Sequence, residues 1–172
     1  MEKQEHANWN MRATLSKYKE DITPFAKEGR EAEFHKLYKP YEIIEQEGNC
    51  LLNTGIDEMW DLITGVESGA DHIFDAAAAT IGVGSDATAA DPTDTDLIDG
   101  TPTYKAMEGG YPTSAAQKAT FKSSFGAAEA NEAWEEWVIK QSTSSICLNR
   151  KVETLGTKTA GTWTLEVSIT LS

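Results

Sequence analysis

Residues 162–171 read TWTLEVSITL, and in them Trp163, Leu165, Val167, Ile169 and Leu171 alternate without exception with Thr162, Thr164, Glu166, Ser168 and Thr170. A period of two puts the apolar set on one face of a β-strand and the hydroxyls with Glu166 on the other. One face is buried and one is wet, as in a layered or closed antiparallel sheet. Working back along the chain, 151–155 and 119–125 are weaker alternating segments, and AAATIGVG (77–84) sets Ala79, Ile81 and Val83 on one face with small residues opposite. Ala130, Ala133, Trp134, Trp137 and Val138 fit a helical stripe and also a bulged strand; the strand-like flanks and the run into Ile139 favour the strand. Between these segments lie an acidic loop, GSDATAADPTDTDLIDG (84–100), and a second break at Gly109-Gly110 with Tyr111-Pro112. No internal repeat is present.

Ahead of the strands, Leu52, Ile56, Met59, Trp60 and Ile63 follow helical spacing, with Asn49 or Asn53 as cap and Gly65 as stop. This predicts an amphipathic helix of about three turns. Leu52, Ile56 and Trp60 are its core candidates, alongside Trp163, Leu165, Val167 and Ile169 of the last strand.

The first 47 residues differ in character. They carry ten acids and eight bases, whereas no Lys or Arg occurs between Lys39 and Lys105. Trp9, Met11, Leu15, Tyr18, Ile22 and Phe25 are scattered among charges, a pattern that closes no core of its own. Thr23-Pro24 reads as a helix start, and Phe34, Leu37, Tyr38 and Tyr41 repeat at helical spacing until Pro40 interferes. The expectation is an extended arm over 1–22 running into a short helix near 24–38. The chain then divides into an arm with its helix (1–47) and a helix plus β-domain (48–172). Isolated large apolar residues on such an arm suit docking across another protein, with Trp9 and Arg12 as leading anchors and Met11, Leu15, Tyr18, Ile22 and Phe25 beside them. On this reading, removal of 1–22 leaves the β-domain folded. The fold class is mainly β, a small β-sandwich or barrel with an extended N-terminal arm and one or two short helices.

Composition bounds the function. With 172 residues, 40% hydrophobic and 25% charged, the chain is long enough for one unstapled domain, burying roughly 70% of its unfolded surface. No apolar run approaches the roughly 20 residues that span a bilayer. Fifteen bases against 28 acids give a net charge of −13, which repels phosphate backbones and anionic membranes, so no nucleic-acid or membrane partner is expected. The opening MEKQEHANWNMR has no apolar leader core, and Cys50 and Cys147 alone make no disulfide scaffold, which together predict synthesis in a reducing cytoplasm.

Chemistry finds no anchor in the letters. His6, His35 and His72 are far apart and neither cysteine has a nearby partner, so no metal or other cofactor is expected. Asp86, Asp91, Asp94, Asp96 and Asp99 could collect calcium, but Asp99 stands where a calcium loop turns on glycine, and the run reads as a solvated acidic loop. Gly82-Val83-Gly84 lacks the third glycine and the helix of a phosphate cradle. No serine elbow appears. Glu132, Glu135 and Glu136 beside Trp134 and Trp137 have the letters of a sugar hydrolase site, but core tryptophans with exposed glutamates account for them as well.

The words WNMR (9–12), GNCLLNTGI (48–56), AAATIGVGSDATAA (77–90), TDL (95–97), FGAAEANEAWEEW (125–137) and LNRKVETLGTKTAGTWTLEVSITLS (148–172) resemble a family of small structural proteins of tailed-bacteriophage virions, most strongly at the C-terminus. The resemblance implies a non-enzymatic virion component assembled in the bacterial cytoplasm. It points first to a capsid decoration (cement) protein on the head exterior, a homotrimer bound to the major capsid protein through the arm. The alternative it implies is a tail-fibre or receptor-binding module, with Tyr104, Tyr111, Trp134 and Trp137 as aromatic contacts. A virion-borne polysaccharide hydrolase is a third reading, and it needs two carboxylates converging in a cleft.

Overall fold

A computed structural model describes residues 8–171. In chain order the elements are β1 (Trp9–Tyr18), α1 (Thr23–Ala26), α2 (Glu31–Leu37), β2 (Glu42–Glu47), β3 (Cys50–Leu51) and α3 (Asn53–Thr64). There follow β4 (Ala79–Gly84), β5 (Thr103–Ala106), β6 (Thr113–Ala115), β7 (Lys118–Phe125), β8 (Ala133–Gln141), β9 (Cys147–Thr157) and β10 (Thr162–Leu171). The strands make two five-stranded antiparallel sheets, ordered β2-β1-β10-β7-β6 and β3-β9-β8-β4-β5. They pack face to face as a β-sandwich, and neither closes into a barrel.

The alternation of 162–171 holds: Trp163, Leu165, Val167 and Ile169 are buried, and only Leu171 at the strand's end is exposed. The inner faces meet through aromatic rings, with Trp134 edge-on to both Phe125 and Trp163 at centroid separations of 4.9 Å. The segment at 133–141 is a strand, and its pairing with β9 shifts register between Trp134 and Glu136 and again between Ile139 and Lys140. Both tryptophans of that strand face inward and are fully buried. The second sheet is clamped by Arg150, wholly buried, whose Nε donates to Glu136 at 2.7 Å while Nη1 reaches Asp94 at 2.9 Å and Nη2 the Thr88 carbonyl at 3.0 Å. This guanidinium fastens the acidic loop to the sheet, and a buried charge so fully paired is lost only at large cost.

The division into arm and domain is corrected over the described part of the proposed arm, residues 8–22; its first seven residues lie outside the described residues. Residues 9–18 pair along their whole length with β10 on one side, and six of them pair with β2 on the other. Met11, Ala13 and Leu15 sit opposite Ile169, Val167 and Leu165 and are buried with them in the same core. The reason lies in the same period of two: Trp9, Met11, Ala13 and Leu15 alternate with Asn10, Arg12, Thr14 and Ser16. Two charges, Arg12 on the wet face and the buried Lys17, masked a strand. Tyr18 and Ile22 are buried as well, in a second cluster with Phe34 against which Phe25 and Tyr38 pack. The expected helix near 24–38 is two short helices, parted by Gly29 in the left-handed region at φ 65°.

Candidate interaction surface

The helix α3 forms where the spacing predicted and ends on Gly65, whose φ of 73° makes it a left-handed cap. Its buried face is different from the expected one. Gly55 lies against the backbone of β9, where a Cβ would run into the Leu148 carbonyl and approach the Leu148 Cα at 2.7 Å. That approach turns Leu52, Gly55 and Glu58 inward and leaves Ile56 half-buried. Trp60, assigned to the core by counting apolar letters, is 61% exposed; Ile63 of the same stripe is 71% exposed and Val66 just beyond the helix 70%. Counting missed the rotation because glycine and a paired glutamate carry no weight in a hydrophobic stripe.

Glu58 is buried because His72 answers it: His72 Nδ1 donates to Glu58 Oε1 at 2.9 Å, while His72 Nε2 lies 3.3 Å from Glu67 and 3.8 Å from Asp71. Desolvation lowers the imidazole pKa, but the Glu58 hydrogen bond and the three carboxylates outweigh it and hold the pKa above the ordinary value. Beside Met59 and Leu62, at the open end between the sheets, lies a cavity of about 310 Å³ walled by Trp9, Phe74, Phe121, Leu148 and Ile169. The indole N–H of Trp9 is buried and has no partner among the described residues.

A second apolar patch occupies the opposite end. Tyr18 pairs with Thr162 at the start of β10, and Thr162 Oγ1 accepts the Ile22 amide at 2.8 Å, so the α1–α2 block caps the end away from α3. Trp9, Leu171 and the cavity lie at the other end of β10, about 30 Å away along the strand. At the α2 end Leu37, Tyr41 and Ile43 are 59%, 56% and 57% exposed, with Lys36 and Lys39 exposed between them. Here too a histidine–glutamate pair holds the helix. His35 Nε2 donates to Glu108 at 2.9 Å, Lys122 lies 3.3 Å from the same carboxylate, and Ser124 donates a short hydrogen bond to it. Burial raises the Glu108 pKa, yet the His35 and Ser124 hydrogen bonds and the Lys122 charge prevail and hold it below the usual carboxylate range.

Several expected sites resolve differently. Of the arm anchors, Met11, Leu15, Tyr18 and Ile22 are core residues, Trp9 and Phe25 are half-buried, and Arg12 pairs on the surface with Glu47 at 3.1 Å. Trp134 and Trp137 are buried, which withdraws them from any receptor or sugar contact, and Glu136 faces Arg150 inside the sandwich. Ser124 and His35 share one neighbourhood, but Glu108 stands between them: with its single proton on Glu108, Ser124 receives the Thr164 hydroxyl at 2.5 Å and no imidazole. The aspartates of 84–100 brace their loop and fasten it to the second sheet, Asp91 receiving Thr93, Asp99 receiving Ser85 and Thr101, Asp96 receiving Tyr104 and Lys140, and Asp94 receiving Arg150. Among the described residues no group of three or more acids, histidines or cysteines is placed to hold a metal ion. Both cysteines are free, and burial pushes the Cys147 thiol pKa far up. Sequence reasoning missed the α2-end patch and the two histidine–glutamate pairs; the signal available for the first was the apolar repeat at 34, 37, 38 and 41, of which Leu37 and Tyr41 face solvent.

These features define the class: an antiparallel β-sandwich with a solvent-facing apolar patch at each end. No protein family, characterised protein or solved structure matches the chain.

Proposed function

We propose that this chain is a non-enzymatic structural protein of a bacteriophage virion, a decoration protein held on the head exterior by contacts with the major capsid protein and with other copies of itself. The observation that carries the reading is the pair of exposed apolar patches on an acidic sandwich. Monomeric proteins rarely leave such surface to water without a partner for it. The sequence resemblance supplies the virion. Attachment rests on the folded surface, because residues 9–18 are a strand of the sandwich and four of the seven proposed anchors, Met11, Leu15, Tyr18 and Ile22, lie in its cores. Many modest contacts repeated over a closed shell give strong avidity without chemistry, and the acidic surface keeps the protein off packaged DNA. Among the described residues no helix is long and apolar enough to cross a membrane.

A tail-fibre module remains the second reading, and Tyr104 and Tyr111, partly exposed, are its surviving aromatic contacts. Copy number separates the two. Quantitative mass spectrometry of purified particles is expected to find this chain in numbers approaching one per coat subunit. A few to a few tens of copies would move it to the tail, and its absence from particles would overturn both readings.

A further inference from the structure

The two exposed apolar patches differ in charge as well as in place. Around Trp60, Ile63 and Val66 the neighbouring charges in sequence are Asp57, Asp61, Glu67 and Asp71, with no Lys or Arg between Lys39 and Lys105, and Lys118 is the one base lining the adjoining cavity. Leu37 and Tyr41 are flanked by Lys36 and Lys39, while beside Ile43 Glu42 is neutralised by Lys17 at 3.0 Å and the exposed Glu45 stands two residues further along the strand. Neither Lys36 nor Lys39, and neither Asp57 nor Asp61, has an ion-pair partner among the described residues. The acidic patch cannot meet itself, since two copies would bring like charges together around a desolvated tryptophan. It can meet the lysine-flanked patch, and the two lie at opposite ends of β10.

We propose that the chain associates head to tail, the α3 face of one copy seated on the Leu37–Tyr41–Ile43 patch of the next. Apolar centres then cover one another while Lys36 and Lys39 face Asp57 and Asp61. A contact between different patches is heterologous, so it closes into a ring such as a trimer or grows into a row; it does not stop at a two-fold dimer. At physiological ionic strength charges beyond about 8 Å are screened, so this local complementarity outweighs the repulsion of two chains that each carry −13. The proposal deepens the self-association part of the functional reading and rests on it only there.

Sedimentation velocity on the full chain over a range of concentrations tests it. Wild-type protein is expected to associate as concentration rises, and more weakly in high salt. Ile63→Asp and Leu37→Asp, both at exposed positions, are each expected to sediment as monomers with unchanged thermal midpoints. Mixed in equal amounts they form a dimer and nothing larger, because only one intact patch of each kind is left to pair. The charge-reversed pair Asp57→Lys/Asp61→Lys is also monomeric, and adding Lys36→Glu/Lys39→Glu in the same chain restores association. Wild-type protein that stays monomeric at every concentration overturns the proposal, as does Leu37→Asp protein that still dimerises alone. A monomer that nonetheless coats virions would overturn this contact and leave the decoration reading in place.

Discussion

The two ends of the sandwich are built from similar letters and put to different uses. At the α2 end the large residues turn inward: Phe34 is fully buried and packs edge-on against Tyr18 at 5.1 Å and Phe25 at 5.6 Å. At the α3 end a glycine and a glutamate turn inward and the tryptophan turns out. Each helix is fixed by one buried glutamate and one histidine, with the roles exchanged: α2 supplies His35 to Glu108 of the sheet side, and α3 supplies Glu58 to His72 of the following loop. The difference teaches that an apolar stripe on a helix reports a face that must be covered, and leaves open whether its own chain does the covering.

The sharpest break between an arm and a strand comes from deletion. Removing residues 1–22 takes away the strand between β2 and β10, together with Met11, Leu15, Tyr18 and Ile22. The whole folding free energy of such a domain is about 5–15 kcal/mol, so the truncated chain is expected to have no cooperative thermal transition. A truncated chain that still melts cooperatively by circular dichroism would return the segment to an arm.

Single truncations at the α2 end come next. Phe34→Ala is expected to cost about 3–5 kcal/mol, as does Trp163→Ala in the main core. Denaturant titration reads both. An unmoved midpoint for Phe34→Ala would show that the α1–α2 block is not part of the cooperative unit. At the other end, Gly55→Val forces a side chain into the Leu148 backbone, and overpacking of this kind costs about 1–3 kcal/mol. Detachment of α3 should accompany it, visible as faster amide exchange over 53–64.

Acid and base should loosen opposite ends. His72 has its folded pKa raised, so the stability it contributes is fully present below its unfolded value of 6.5 and is lost as pH rises through the folded value. Glu108 has its folded pKa depressed, so its contribution is present above its unfolded value of 4.5 and is lost as pH falls through the folded value. Amide protection, taken relative to the intrinsic base-catalysed rate, is therefore expected to fall in α3 and the loop 65–75 from near-neutral to alkaline pH, and in α2 only at acid pH below about 4.5. His72→Gln should abolish the first change and leave the second. Both ends loosening together would show that the pairs do not act locally.

Much of the sandwich was legible. Strict alternation gave β10, and alternation with strand-like flanks gave β4, β7, β8 and β9, because an antiparallel sheet with one wet face repeats its chemistry every second residue. β1 carried the same alternation and was misread, since Arg12 and Lys17 made the segment look like a charged tail. Lys17 is in fact buried, its ammonium donating to the Leu155 carbonyl at 2.8 Å and lying 4.3 Å from the Trp163 ring. The surface was less legible, for a physical reason. Whether Trp60 faces the core depends on how closely α3 approaches Leu148, and that is fixed by Gly55 and by the Glu58–His72 pair, contacts across residues that no local pattern relates.

The smallest expected effect bears hardest on that point. Trp60 is the largest residue of the α3 stripe, and if its stripe belonged to the core its truncation would cost as much as that of Trp163. Exposed as it is, Trp60→Ala is expected to shift stability by no more than about 0.5 kcal/mol, the range of surface substitutions outside special features. The same substitution should weaken association of the protein, because truncating an aromatic anchor at the centre of an interface typically costs more than 1 kcal/mol of binding. Denaturant midpoint and sedimentation read from one preparation keep the two apart. A large loss of stability would return the tryptophan to the core, whereas unchanged stability with unchanged association would leave its exposure without a purpose in the contact.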